Sequence, residues 1–182
     1  EHDVVVFDEA HVLEDIMSDT VGVEIAPGRF TVLSGIVRRI LDDPKLIGSI
    51  AEIAESLRDV LTPHVGNRLP TPLPDAVQEV LTDARLRLGR ANEVLVAIDT
   101  PIEDAKQRKL RAQTMTGRAI EQLDTAIEGR DGYVAFVSGS RVSPRLEVAP
   151  LDVGPAMTEG VWSQRTAILT SATIPSSLAA RV

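Results

Sequence analysis

The sequence has no cysteine, and its 182 residues include only one tryptophan, one tyrosine and three phenylalanines. Without cysteine there is no disulfide and no thiolate metal site within these residues, which fits a reducing compartment. Aromatic residues make up 3% and apolar residues 43%, so the core must be built from Leu, Ile, Val and Ala. That composition suits helices better than a sandwich. No apolar run approaches the roughly 20 residues that a bilayer span needs, and no secretory leader is recognisable. A soluble, cytoplasmic chain with no membrane partner is expected. Positive charge is also short: 19 Lys and Arg against 27 Asp and Glu leave a formal net charge of −8. A uniformly basic nucleic-acid surface is excluded, and any DNA contact must be a local patch. His2 and His64 have no partner at metal-ligand spacing. No Gly-x-x-x-x-Gly-Lys-Ser/Thr loop occurs, so neither the lysine nor the backbone nest that cradles nucleotide phosphates is present.

Two short runs rich in β-branched residues stand near the ends. Asp3-Val4-Val5-Val6-Phe7 and Thr166-Ala167-Ile168-Leu169-Thr170 both read as strands buried on two faces of a parallel sheet. Between them the pattern is helical. An amphipathic stretch covers about Phe30 to Leu41. Asp43-Pro44 reads as an N-cap followed by proline at the first helical position, opening a helix towards Leu61. Residues 62–74, with four prolines and Gly66, form a loop. From Asp75, apolar residues recur at Val77, Leu81, Ala84, Leu88, Ala91, Leu95 and Ile98 in a heptad-type seam.

Thr100-Pro101-Ile102-Glu103 reads as a capping box that restarts the helix. The second seam runs through Ala112, Met115, Ala119, Leu123 and Ala126 and stops near Gly129. Two seams of matching period imply an antiparallel hairpin, a protruding arm with each helix roughly 38 Å long at 1.5 Å per residue. Tyr133–Val137 and Arg145–Ala149 look like two further strands. The first residue opens almost directly on a strand, and Ser176 to Val182 read as a helix start without an end, as expected of a piece of a longer chain.

The chemistry gathers at the two outer strands. Val4-Val5-Val6-Phe7-Asp8-Glu9-Ala10-His11 is an apolar strand ending in Asp-Glu, the Walker B arrangement. A carboxylate at the carboxyl end of a buried strand is held where it can bind Mg²⁺, usually through water. A second carboxylate beside it can orient and deprotonate an attacking water. Ala167-Ile168-Leu169-Thr170-Ser171-Ala172-Thr173 likewise places small hydroxyl residues at the end of a strand.

As a pair, Asp-Glu-Ala-His and Ser-Ala-Thr make the sequence resemble the DinG/XPD-like branch of the superfamily 2 helicases. In that branch the DEAH box is followed by a helical insertion called the arch. The segment from Leu146 to Ala156, Trp162, Arg165 and Ile174-Pro175 add to the likeness, which is close over residues 1–16 and 145–180. It implies an α/β fold, mostly α in these residues: part of a RecA-like P-loop NTPase sheet domain interrupted by a helical arch. Residues 1–16 would belong to the sheet domain, 17–130 to the arch, and 131–182 to the sheet domain again.

The resemblance further implies an ATP-dependent DNA helicase of the kind used in DNA repair. Its cofactors would be ATP and Mg²⁺, and its partner DNA, single-stranded or at a junction with duplex. Asp8 would hold the Mg²⁺ of MgATP and Glu9 would activate water. His11 would couple nucleotide state to Ser171, Ala172 and Thr173. The iron–sulfur cysteines of many relatives lie upstream of the DEAH box, so the missing cysteines leave a cluster open. With no phosphate loop and no arginine finger, the chain by itself is expected to be inactive.

A cationic group on the hairpin, Arg85, Arg87, Arg90, Lys106, Arg108, Lys109 and Arg111, is either a solvated helical face or a contact surface for single-stranded DNA. Pairing about Asp99-Thr100 would bring Arg90 and Lys109 to similar height. Two other readings compete: a helical protein- or nucleic-acid-interaction module without catalysis, and a helicase-like core fused to a nuclease.

Overall fold

The computed structural model describes residues 4–99, 102–129 and 131–172, with only the backbone of Asp19. In chain order its elements are strand β1 (Val4–Phe7), helix α1 (Leu13–Val21), β2 (Val23–Ile25), α2 (Pro27–Val37), α3 (Pro44–Leu61), α4 (Asp75–Ala97), α5 (Glu103–Glu128), β3 (Tyr133–Gly139), β4 (Pro144–Pro150), the short α6 (Gly154–Met157) and β5 (Thr166–Leu169). The fold is α/β and mostly helical, with a two-stranded parallel sheet of β1 and β5 and a three-stranded antiparallel sheet ordered β2–β4–β3. Among the described residues no helix is long and apolar enough to cross a membrane. The chain divides into two compact units, residues 1–23 with 149–182, and residues 24–148.

In the first unit β1 and β5 run parallel, with Val4 opposite Thr166 and Phe7 opposite Leu169. Strand alternation sends Val5, Phe7, Ala167 and Leu169 to one face. There Phe7 and Leu169 meet Leu13 and Met17 of α1 together with Val153, Met157 and Trp162. Phe7 and Trp162 stack edge to face, with ring centroids 6.0 Å apart. The other face is open: Val4, Val6 and Ile168 are 49%, 61% and 47% exposed. This corrects the expectation of strands buried on both faces, because among the described residues only one face has a layer to pack against. The helix α1 and strand β2 were not foreseen.

The second unit is built on helices α2 to α5. Asp43 caps α3 as its residue type dictates, its Oδ1 accepting from the Leu46 N–H at 3.0 Å. Such a cap contributes about 1 kcal/mol. In α4 the seam residues Val77, Leu81, Ala84, Leu88, Ala91 and Leu95 are all fully buried. The hairpin is antiparallel: Gln78 reaches the Ile127 carbonyl, Arg85 reaches Asp124, and Lys109 reaches the carbonyls of Val96 and Ile98. It is not a free-standing arm, because α3 packs against α4 and α2 against both α3 and α5.

The capping box does not form over its described part. Ile102 is extended (φ −81°, ψ 121°), so Glu103 is the first helical residue rather than the third. Thr100 and Pro101 lie outside the described residues. Glu103 and Asp104 in the first turn still favour that helix end through the dipole.

The strands expected at 133–137 and 145–149 are present as β3 and β4. They belong with the helices: the Gly66 and Leu69 N–H groups donate to the carbonyls of Val137 and Ala135, and the Val137 N–H to that of Asn67. The compact units divide at 23/24 and 148/149. Hydrogen bonds from the 65–69 loop to β3, and pairing of β2 with β4, draw the hairpin to the helical unit.

Leu88 and Thr116 are both fully buried, and the Thr116 hydroxyl has no hydrogen-bond partner among the described residues. Leu88→Ala leaves a cavity and is expected to cost about 2–5 kcal/mol. Thr116→Val removes an unsatisfied polar group at nearly constant shape and is expected to be neutral or stabilising by about 1 kcal/mol. Denaturant unfolding followed by helical circular dichroism checks both; a destabilising Thr116→Val would show that its hydroxyl is satisfied in solution.

Candidate functional site at the carboxyl ends of β1 and β5

Parallel strands bring their carboxyl ends to one edge, which is where α/β proteins bind ligands. Here the ladder continues past both strands: the Thr170 N–H donates to the Phe7 carbonyl and the Ala10 N–H to the Thr170 carbonyl, each at 2.9 Å. Asp8 and Glu9 are thereby set opposite Thr170 and Ser171.

Asp8 Oδ1 accepts the Glu9 N–H at 3.0 Å and the Thr170 hydroxyl at 2.7 Å. Its Oδ2 takes no hydrogen bond from the described residues. Glu9 is held in the left-handed region at φ 55°, ψ 42°, the sole non-glycine residue with positive φ among those described. That conformation costs roughly 1–2 kcal/mol for an L-residue. It persists because Asp8 takes its N–H and Thr170 takes the next one. The strain turns the Glu9 side chain towards His11, whose Nδ1 lies 3.2 Å from Glu9 Oε2 and 3.0 Å from Ser171 Oγ.

Both contacts fall on the same ring nitrogen. A Ser-His-acid triad would need the serine on Nε2 and the acid on Nδ1, so this is no nucleophilic relay. Nδ1 therefore has two alternative partners. With a proton on Nδ1, His11 donates towards the Glu9 carboxylate. With Nδ1 bare, it accepts from Ser171 and loses its attraction to Glu9. Ala172 is exposed in the turn that follows, and Thr173 lies outside the described residues. Thr170 was read only as the end of a strand. Its role depends on the register, Phe7 opposite Leu169, which no local pattern reveals.

The donor set fits one kind of metal ion. Among the described residues no three His, Cys, Asp or Glu side chains gather to hold a cation unaided. Asp8, with Oδ2 free at the strand end, suits a Mg²⁺ that arrives with its own waters and nucleotide oxygens, since Mg²⁺ commonly takes one or two protein carboxylates.

The hairpin cations are placed differently from expectation. Arg87 is engaged within the unit, with Nε at 2.7 Å from Asp83 and NH1 at 2.9 Å from both Glu52 Oε2 and the Ser49 carbonyl. The hydrogen bond to Asp83 raises its pKa, so it stays charged and anchored. Lys109 caps the unpaired carbonyls at the end of α4, and so stands level with Val96 and Ile98 rather than with Arg90. Lys106 pairs with Glu103 at 3.6 Å. Arg90, Arg108 and Arg111 are exposed and form no ion pair among the described residues. Neither α4 nor α5 carries an aromatic residue. A cavity of about 310 Å³ lies in the same unit, lined by Ile25, Phe30, Leu33, Met115 and Leu123, with Glu24, Arg29 and Arg118 also lining it.

No protein-family model matches the chain, and comparison with curated proteins returns no match. The functional reading rests on the residues and their geometry.

Glu9→Gly relieves the left-handed strain while removing the carboxylate. The variant is expected to be at least as stable as the parent, by up to about 1 kcal/mol, since glycine also loses more freedom on folding. Trp162, the single tryptophan, lies in the packed layer beneath β1 and β5 and reports unfolding of this unit. A clear loss of stability would mean that Glu9 is not strained.

Proposed function

We propose that the chain carries the magnesium-holding and water-activating half of an ATP-hydrolysing site in a cytoplasmic, ATP-dependent DNA helicase. The parent protein resembles the DinG/XPD-like branch, with a RecA-like sheet domain and residues 24–148 in the place of an arch. The phosphate loop would be supplied from outside these residues. One observation carries this reading. Two segments some 160 residues apart pair in parallel, and His11 meets Ser171 at 3.0 Å at their carboxyl ends. A motif match by chance would require no such meeting. The open face of β1 and β5 agrees with it, because parallel strands are normally covered on both sides.

MgATP, when bound, would supply the phosphoryl group and the positive charge that offsets its developing negative charge. The chain's own residues do the rest. Asp8 would hold the ion through Oδ2, while Oδ1 accepts from the Glu9 N–H and the Thr170 hydroxyl. Glu9 would take the proton of the attacking water. His11 relays the state of Glu9 to Ser171, so a change at the carboxylate is felt at the end of β5. A small network with two arrangements is what hydrolysis needs in order to move a domain. Single-stranded DNA, or its junction with duplex, would meet the unpaired Arg90, Arg108 and Arg111 through its phosphates.

A second reading has its own support. Residues 24–148 form a compact unit with a continuous apolar seam, and Val96, Ile102 and Leu110 are exposed where α4 and α5 meet. That unit could serve as an interaction module.

In the complete protein, Glu9→Gln keeps shape and loses the base. MgATP binding is expected within about twofold of wild type, and turnover to fall by a factor on the order of 10²–10⁴, the usual worth of a general base. Equilibrium binding of a fluorescent ATP analogue and steady-state phosphate release check this. Turnover near the wild-type rate would remove Glu9 from the chemistry and leave the interaction module as the better reading.

A further inference from the structure

We propose that Thr170 is the positioning residue that fixes which oxygen of Asp8 faces the metal ion, an inference that rests on the nucleotide-hydrolysis reading above. An exposed aspartate carboxylate rotates almost freely about its last bond, which has only broad, two-fold preferences. Holding a metal's water shell needs one orientation. Two donors converge on the same oxygen of Asp8: the Glu9 N–H at 3.0 Å and the Thr170 hydroxyl at 2.7 Å. The second is a charge-assisted bond at short range, about twice as strong as a neutral one. Together they occupy Oδ1 and leave Oδ2 to face outward.

Thr170 can do this because it is itself immobilised. Its N–H donates to the Phe7 carbonyl and its own carbonyl accepts from Ala10, both at 2.9 Å. The hydroxyl has one proton and two acceptors in reach, Asp8 Oδ1 at 2.7 Å and the Phe7 carbonyl at 3.4 Å. Bonding to Asp8 locks the carboxylate, and turning to Phe7 releases it. β-Branching at threonine limits the side chain to few rotamers, so the hydroxyl is held on this side of the turn. The next residue, Ser171, reaches His11 and through it Glu9. Two successive residues at the end of β5 thus address the two carboxylates separately: Thr170 the metal-facing one, Ser171 the water-facing one.

The test is the magnesium dependence of nucleotide binding by the complete protein, read with a fluorescent ATP analogue while free Mg²⁺ is titrated. Thr170→Val keeps the β-branch and the backbone bonds and removes only the hydroxyl. The half-saturating Mg²⁺ is expected to rise about tenfold, the low end for losing a hydrogen bond to a charged group. Binding in the presence of chelator should stay unchanged, a split that a merely structural defect would not give. Thr170→Ser restores the hydroxyl and is expected to return the midpoint to within about threefold of wild type. Asp8→Asn should lose the magnesium dependence. If Asp8→Asn loses it and Thr170→Val titrates like wild type, the role of Thr170 is overturned and the hydrolysis reading stands. If the wild-type protein shows no magnesium-dependent nucleotide binding, both fall. Should Thr170→Val fail to fold, Thr170→Ser decides: a tenfold rise with unchanged Trp162 emission overturns the role.

Discussion

The first unit depends on the parallel pairing of β1 with β5. Among the described residues each of these strands pairs only with the other, and an isolated strand leaves its backbone groups unmet. Pairing them across some 160 residues would carry a loop-closure cost, though one that grows only slowly with length. The fold limits it further. β2 and β4, where the chain leaves the first unit and returns to it, are neighbours in a single sheet. The intervening residues 24–148 make their own core, so their ordering is offset by their own packing rather than by the β1–β5 ladder.

From that pairing the site follows. Two backbone bonds beyond the strands, from Thr170 to Phe7 and from Ala10 to Thr170, hold the Asp8-Glu9 turn in a conformation that Glu9 would otherwise avoid. Strain of roughly 1–2 kcal/mol is tolerated where the surroundings over-determine it, and such places are often functional. Here it separates the carboxylates. Asp8 is fixed by two donors on one oxygen, whereas among the described residues the Glu9 carboxylate meets a histidine nitrogen that it shares with Ser171. A held carboxylate suits a metal, and a loosely engaged one suits proton transfer.

Much of this was legible in the sequence, and the exceptions have physical causes. Asp43-Pro44 located α3 because capping is local chemistry, and the Val77–Leu95 seam located α4 because periodicity over about five turns is hard to mistake. β2 was hidden because three residues carry no pattern and its partner β4 lies far along the chain. α1 did carry a signal, with Leu13, Ile16, Met17 and Val21 at helical spacing, but it is short and directly follows the acidic turn. The capping box at Thr100–Glu103 was over-read, since Ile102 stays extended and the helix begins at Glu103. Asp8, Glu9, His11 and Ser171 were visible as residue types at strand ends. Thr170 was not, because its meeting with Asp8 is set by the register of two distant strands.

The most direct test of the pairing exploits the lack of cysteine, since any introduced pair is the sole source of a disulfide. Val6 and Ile168 are register partners with outward-facing side chains, and adjacent strands lie about 4.8 Å apart, within disulfide reach. Val6→Cys with Ile168→Cys should therefore cross-link on mild oxidation. Val4→Cys with Ile168→Cys, offset by two residues along the strand, should link far more slowly. Parallel pairing predicts that order, read by mass spectrometry of the oxidised chains. Equal or reversed rates, or no cross-link in either, would contradict it, and the meeting of Asp8, Glu9 and His11 with Thr170 and Ser171 would be lost with it.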